Sequence, residues 1–179
     1  MTARYSAPAI FFHWLMALGL AANFALGLTM ADMALSPEKL KFFSWHKWAG
    51  ITLLGLVVLR LPWRLLRRPP PLLPMPAWQK YAAEAVHTLM YVLMFAIPLS
   101  CWFMSSAAGI QVVYLGMFPL PNLVAKNKVL FDLLKDVHES LNYGLLALVL
   151  AHIAGVLKHQ LFDHDATLAR MIPWMRSKP

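Results

Sequence analysis

The chain has 179 residues, 60% of them hydrophobic, and a mean hydropathy of +0.58, too apolar for a soluble domain of this size and suited to a membrane protein with little mass outside the bilayer. Its formal charge of +8 does not indicate nucleic-acid binding, because the basic residues fall in the gaps between apolar stretches and leave no surface broad enough for a duplex. The single cysteine, Cys101, excludes an internal disulfide framework, a CxxCH haem attachment and a cysteine-held iron–sulfur cluster or zinc ribbon.

The first apolar stretch, 8–28, follows Arg4 and could pass for a signal peptide. It is longer than a typical h-region, lacks a clean A-x-A site and carries His13, so it is read as a retained first span over 8–29. Further spans are expected over 42–62, 80–101 and 131–159, each long enough to cross a bilayer. Backbone groups in lipid must be paired within the segment, so all four are helices. The expected fold is an all-α membrane four-helix bundle forming one domain over 1–179.

The fourth span is apolar mainly over 140–157. Its first turns, with Asp132, Lys135, Asp136 and Glu139, should reach the headgroups or lean on the preceding loop. Between spans two and three, Arg67-Arg68-Pro69-Pro70-Pro71 and the prolines up to Pro76 make a stiff, extended basic connection. The connection 102–130 is rich in Met, Val, Phe and Pro. It should fold back onto the bundle, with room for a short interfacial helix.

Four crossings put both termini on one side. That side holds ten basic residues (Arg4, Arg60, Arg64, Arg67, Arg68, Lys80, Lys158, Arg170, Arg176, Lys178) and three acidic ones, net +7. The other side holds six (Lys39, Lys41, Lys47, Lys126, Lys128, Lys135) and five acidic ones, net +1. The positive-inside rule then predicts cytoplasmic termini in a bacterial inner membrane.

The histidines carry the chemistry. His138 and His152 are 14 residues apart, two heptads, so both rings share one face of the last helix about 21 Å apart. That separation suits two cofactors stacked across a hydrocarbon layer of ~30 Å. His46, about one turn into span two, matches the level of His138, and Gly50 one turn later leaves room for a flat macrocycle. At the inner level stand His13, His87 and His152, with Gly155 beyond His152. Three histidines cannot share one iron, so one is surplus, and periodicity does not say which. The pattern reads as two bis-histidine haem b sites.

His159 continues the same stripe at the inner boundary, where it would snorkel or bond a haem propionate or quinone carbonyl. His164, beside Asp163 and Asp165, reads as a solvated tail residue. Trp45, Trp48, Trp63, Trp78, Trp102 and Trp174 lie near boundaries as interfacial anchors. The 11 methionines show no metal-binding clustering and read as packing. Lys47 reads as an interfacial lysine, with a haem-edge charge as its functional alternative.

With these residues placed, the whole chain resembles the bacterial di-haem cytochrome b-561 family, and within it the small stand-alone superoxide-oxidising members. The matching segments are Phe12-His13-Trp14, His46-Lys47-x-x-Gly50, Leu59-Arg60-x-x-Trp63-Arg64, His87-x-x-x-Tyr91, Pro98-Leu99-Ser100, His138-Glu139 and His152-x6-His159. The tail Asp165-x-Thr167-Leu168-x-Arg170-Met171-x-Pro173 completes them. No single piece is specific; their order and spacing are. The membrane cytochromes of formate dehydrogenases and hydrogenases share the 14-residue spacing. Cys101 departs from the family, which commonly has glycine before the tryptophan.

The resemblance implies His13–His152 as inner and His46–His138 as outer haem ligands, with His87 and His159 as non-ligating neighbours. It implies oxidation of periplasmic superoxide, with electrons passed through two haems b to ubiquinone. The quinone would lie near Lys80, His87 and His159. The alternative is a cytochrome b subunit linking quinone to a separate dehydrogenase, hydrogenase or periplasmic cytochrome. Two axial histidines close each iron, which suits electron transfer and leaves no catalytic residue beyond the haems.

Overall fold

The structure, a computed structural model, describes residues 4–67, 69–172 and 174–175. Arg68, Pro173, Arg176 and Lys178, used above for charge and motif, lie outside the described residues. Four helices follow in order, α1 (Ala7–Asp32), α2 (Pro37–Leu66), α3 (Ala77–Ala107) and α4 (Lys128–Leu161), each long and apolar enough to cross a membrane.

Every helix outruns the apolar window that announces it, and in α2 and α4 a side-chain cap marks the start. α2 starts at Ser36, whose side chain accepts from Lys39 N at 3.2 Å, with Pro37 in the first turn where a missing N–H costs nothing. It also continues past Pro62 to Leu66. α4 starts at Asn127, which accepts from Leu130 N at 3.0 Å. Its 34 residues span about 51 Å at ~1.5 Å per residue, so its ends must project beyond the hydrocarbon. The exposed Lys128–Asp132 pair at 2.9 Å lies on that projecting turn.

α1 packs on α2, α2 on α3 and α3 on α4, whereas α1 and α4 hardly touch. The dry core is small: Met16, Val57 and Met94 are buried at mid-height, with Leu20, Leu54 and Phe95 around them. Leu145, midway between His138 and His152, is buried too. Leu18, Val92 and Leu150 face outward, on a surface that lipid would cover.

The connection after α3 does fold back, but as a hairpin and not an interfacial helix. β1 (Val113–Tyr114) pairs antiparallel with β2 (Phe118–Pro119), with Val113 opposite Pro119 and Tyr114 opposite Phe118. Leu115 (φ 54°) and Gly116 (φ 72°) both take the left-handed conformation that a tight hairpin turn demands. Trp48 Nε1 donates to Val113 O at 2.7 Å, the Tyr114 hydroxyl bonds Thr52 Oγ1 at 2.9 Å, and Trp102 Nε1 donates to Pro121 O at 3.0 Å. Trp48 and Trp102 thus tie the loop down as well as marking a boundary.

At the opposite end the tail, including a 3₁₀ turn Leu168–Arg170, closes over the bundle. Trp14 Nε1 donates to Met171 O and Arg4 to Met175 O, both at 2.9 Å, and Arg170 donates to Pro71 O at 2.8 Å. One arginine therefore joins the tail to the proline-rich connection.

Candidate cofactor site: two histidine levels in one cavity

Because α1 and α4 stand apart, the bundle is hollow. A cavity of about 1640 Å³ runs between the helices and is lined by His13, His46, His87, His138, His152 and His159. It exceeds the ~300–1,000 Å³ of an ordinary ligand pocket, so it has room for more than one group.

Near the hairpin end, His46 of α2 and His138 of α4 face each other with ring centroids 6.3 Å apart. His46 Nδ1 lies 3.1 Å from Asn23 O of α1. His138 Nδ1 lies 3.1 Å from Ile97 O and 2.9 Å from Ser100 Oγ. The Ser100 hydroxyl gives its own proton to Ile97 O at 2.7 Å, so its oxygen accepts from the imidazole. Both rings thus donate from Nδ1, which fixes the tautomer leaving Nε2 as a lone pair for a metal. Gly27 of α1 lies against His46: a Cβ there would come within 3.2 Å of Cε1. Cys101 places its sulfur within 4.8 Å of the ligating atoms of both histidines.

Near the end that holds the termini, His152 of α4 has two neighbours. His13 of α1 lies 6.2 Å away and His87 of α3 lies 5.2 Å away, centroid to centroid. Arg60 Nη2 is 3.3 Å from His13 Nδ1. A guanidinium only donates, so this contact uses the Nδ1 lone pair; presenting Nε2 to a metal requires Arg60 to turn to another acceptor. The Arg60 and Arg64 guanidiniums both lie 5.6 Å from the Tyr91 ring centroid.

Several buried polar atoms of the cavity wall lack a partner among the described residues: Asn23 Oδ1, Trp63 Nε1, the Tyr91 hydroxyl and Arg170 Nε. Unsatisfied groups cost about 1–3 kcal/mol each when nothing fills the space beside them. Gly50 and Gly155 also line the cavity. A Cβ on Gly155 would meet nothing within 4 Å, and one on Gly50 only Asn23 Nδ2 at 3.9 Å. The outer imidazoles with free Nε2 atoms, the open glycine walls and the unmatched donors among arginines and aromatic residues fit a flat iron macrocycle bearing carboxylates, namely haem b.

Lys80 is exposed on α3 and outside the cavity wall; Gln79, one residue earlier, lines it and accepts from Lys158 at 3.2 Å. His164, with φ 51°, lies in the turn after α4, away from this cavity. His159 lines the cavity and is held by Asp163 and Asp165. Burial pushes the Asp165 carboxyl up, but hydrogen bonds from Thr167 and the proximity of His159 outweigh it and hold the group below its ordinary range. Gly27 and the carbonyls of Asn23 and Ile97 carry no sequence signature of their function, since a backbone oxygen looks the same at every position. Arg60 was legible as a basic residue, not as a partner of His13.

The chain is 33% identical to "Cytochrome b561 homolog 2" of Escherichia coli (strain K12), over 94% of this chain and 91% of that protein. It is 31% identical to "Cytochrome b561 homolog 1" of the same organism, over 95% of this chain and 97% of that one. The family model for prokaryotic cytochrome b561 matches residues 4–174, nearly the whole chain and all the histidines described above. The chain therefore belongs to the prokaryotic cytochrome b561 family of membrane electron-transfer proteins, which bind haem b.

Proposed function

We propose that the chain holds two haems b, the outer one between His46 and His138 and the inner one between His13 and His152, and that it oxidises periplasmic superoxide with ubiquinone as acceptor. Ring spacing is the observation that carries the ligand assignment. With two metal–nitrogen bonds of ~2.0 Å and two ring half-widths of about 1.2 Å, an iron held between two imidazoles would set their centroids about 6.4 Å apart. The spacings of 6.3 Å for His46–His138 and 6.2 Å for His13–His152 fit that sum, and 5.2 Å for His87–His152 is too short.

When bound, the two haems supply one-electron carriage between the two ends of the bundle. The residues set the rest. Held by two imidazoles each, the irons would be closed to oxygen, which suits electron transfer. The Asn23 and Ile97 carbonyls orient the outer rings, and Arg60, Arg64, Trp63 and Tyr91 offer donors at the inner level. His87 stands beside His152 as a neighbour and not a ligand.

The reaction takes two superoxide anions, two protons and one quinone to two dioxygen molecules and one quinol. The charge asymmetry supports cytoplasmic termini in a bacterial inner membrane; reporter fusions should read residue 70 as cytoplasmic and residue 117 as periplasmic. The deciding assay exposes the isolated, haem-loaded chain to enzymatically generated superoxide with a ubiquinone analogue. Superoxide-dependent quinol formation is expected. Its absence from a fully loaded protein would favour a cytochrome subunit that serves a separate dehydrogenase.

A further inference from the structure

α3 brings the single cysteine of the chain to the outer histidine level. Cys101 lies four residues after Ile97, whose carbonyl orients His138, so the two share one face of that helix. The result is a cluster of three metal-binding side chains from three helices: His46 of α2, Cys101 of α3 and His138 of α4. The Cys101 sulfur and one ring nitrogen of each histidine all lie within 4.8 Å of one another. Electron carriage through two imidazoles per iron gives that sulfur no task.

An ion bound by all three in one plane, with metal–nitrogen bonds of ~2.0 Å and a metal–sulfur bond of ~2.3 Å, would set the donor atoms about 3.5–3.7 Å apart. A small inward movement shared by three side chains reaches that spacing. Charge selects the ion. Among the described residues, none that lines the cavity is Asp or Glu, and Lys47 adds a cation beside His46. A dication such as Zn²⁺ held by one thiolate would leave net positive charge in apolar surroundings next to Lys47, where uncompensated charge is costly. A cuprous ion and a thiolate sum to zero, and sulfur is the donor that a soft monocation selects.

We propose that the outer histidine level of the haem-free chain binds one Cu⁺ through His46, Cys101 and His138, and that this ion and the outer haem exclude each other. The inference rests on the reading of His46 and His138 as haem ligands and adds a competitor for them. Binding replaces the S–H bond of Cys101 by a Cu–S bond. The thiol proton leaves to water, and copper stays cuprous, so no electron is exchanged. A chain that takes up copper before haem carries only the inner haem, and its electron path is cut at the outer end.

The test titrates the full-length, haem-free chain in detergent, without oxygen, with Cu⁺ buffered by the chromogenic chelator bicinchoninate. One Cu⁺ per chain should leave the chelator, and X-ray absorption should show one sulfur at ~2.3 Å and two nitrogens at ~2.0 Å. Cys101→Ser and His138→Ala should each weaken binding by about a hundredfold or more, beyond the ~10–100-fold cost of losing only a ligand's supporting partner. Haem added next should fill the inner site alone in the copper-loaded wild type. In Cys101→Ala it should fill both sites, copper present or absent. The same comparison in cells grown with added copper and limited haem reads copper and haem per purified chain, so a haem-free chain that fails to fold in detergent does not shield the proposal. A Cys101→Ser variant that holds copper as tightly as wild type overturns it. So does a wild type that leaves Cu⁺ with the chelator and gains none in cells, or one that carries copper and both haems together. A His46→Ala variant that binds no copper yet keeps both haems sinks the haem-ligand reading, and the exclusion falls with it.

Discussion

The His46 and His138 rings face each other across the bundle at 6.3 Å with their planes inclined by 82°. His13 and His152 are inclined by 61°. Strongly crossed imidazole planes donate into both iron dπ orbitals about equally and leave them nearly degenerate, which gives large g anisotropy. The oxidised protein should therefore show highly anisotropic low-spin electron paramagnetic resonance signals, the outer haem more so than the inner. Two ordinary rhombic signals would mean near-parallel rings and a different seating of the ligands.

The inner level offers a choice of ligand that two variants decide. His13→Ala should lose the inner haem and keep the outer one, because 6.2 Å to His152 fits trans ligation. His87→Ala should retain both haems, because 5.2 Å does not. Haem-to-protein ratios measure the outcome, and the reverse pattern would transfer the ligand role to His87.

Gly27 is predicted to guard the outer ligand. A Cβ there would lie 3.2 Å from His46 Cε1, so Gly27→Ala should be tolerated with a small shift, whereas Gly27→Val must displace the ring from Asn23 O. Loss of an orienting partner typically costs about 10–100-fold in cofactor affinity. Titration of haem into the apoprotein should show that loss at the outer site alone; wild-type affinity in Gly27→Val would show that His46 does not need this fit.

Superoxide steering should depend on few lysines. Lys39 Nζ is committed to Met33 O at 2.5 Å, near the C-terminus of α1, and Lys128 is paired with Asp132, whereas Lys47 lines the cavity next to His46. Lys47→Glu should slow haem reduction by superoxide about tenfold, the low end of electrostatic steering, and Lys128→Gln should not. Added salt should mimic the reversal as the Debye length falls from ~10 Å at 0.1 M to ~3 Å at 1 M. A rate indifferent to both Lys47 reversal and salt would remove steering from the account.

Much of this molecule is legible in its sequence, for physical reasons that also mark where legibility stops. Twenty apolar residues must be a helix in lipid, so the four helices follow from hydropathy alone. Their ends do not, because Ser36 and Asn127 act through single hydrogen bonds in polar surroundings that hydropathy ignores. The 14-residue spacing of His138 and His152 carries the two-level arrangement. The choice between His13 and His87 has no sequence signal, since both lie at similar depth on different helices and only their distances from His152 differ. The hairpin escaped because strands of two residues have no periodicity to read, and its turn uses Leu115 where Asn or Gly would have signalled it. Lys39 shows a further limit: the sequence gives only its charge, and in the structure it donates to backbone carbonyls at the end of α1.

Haem stoichiometry in the purified chain and three variants tests the central claim most directly, that two bis-histidine sites are stacked in one bundle. Acidic acetone should release two haems b per wild-type chain, because no thioether bond can hold them. His46→Ala and His138→Ala should each retain one haem, with the same surviving spectrum, and His152→Ala should retain the complementary one. A wild-type chain that binds a single haem, or a His46→Ala and a His138→Ala variant that leave different spectra behind, would contradict the two-site arrangement.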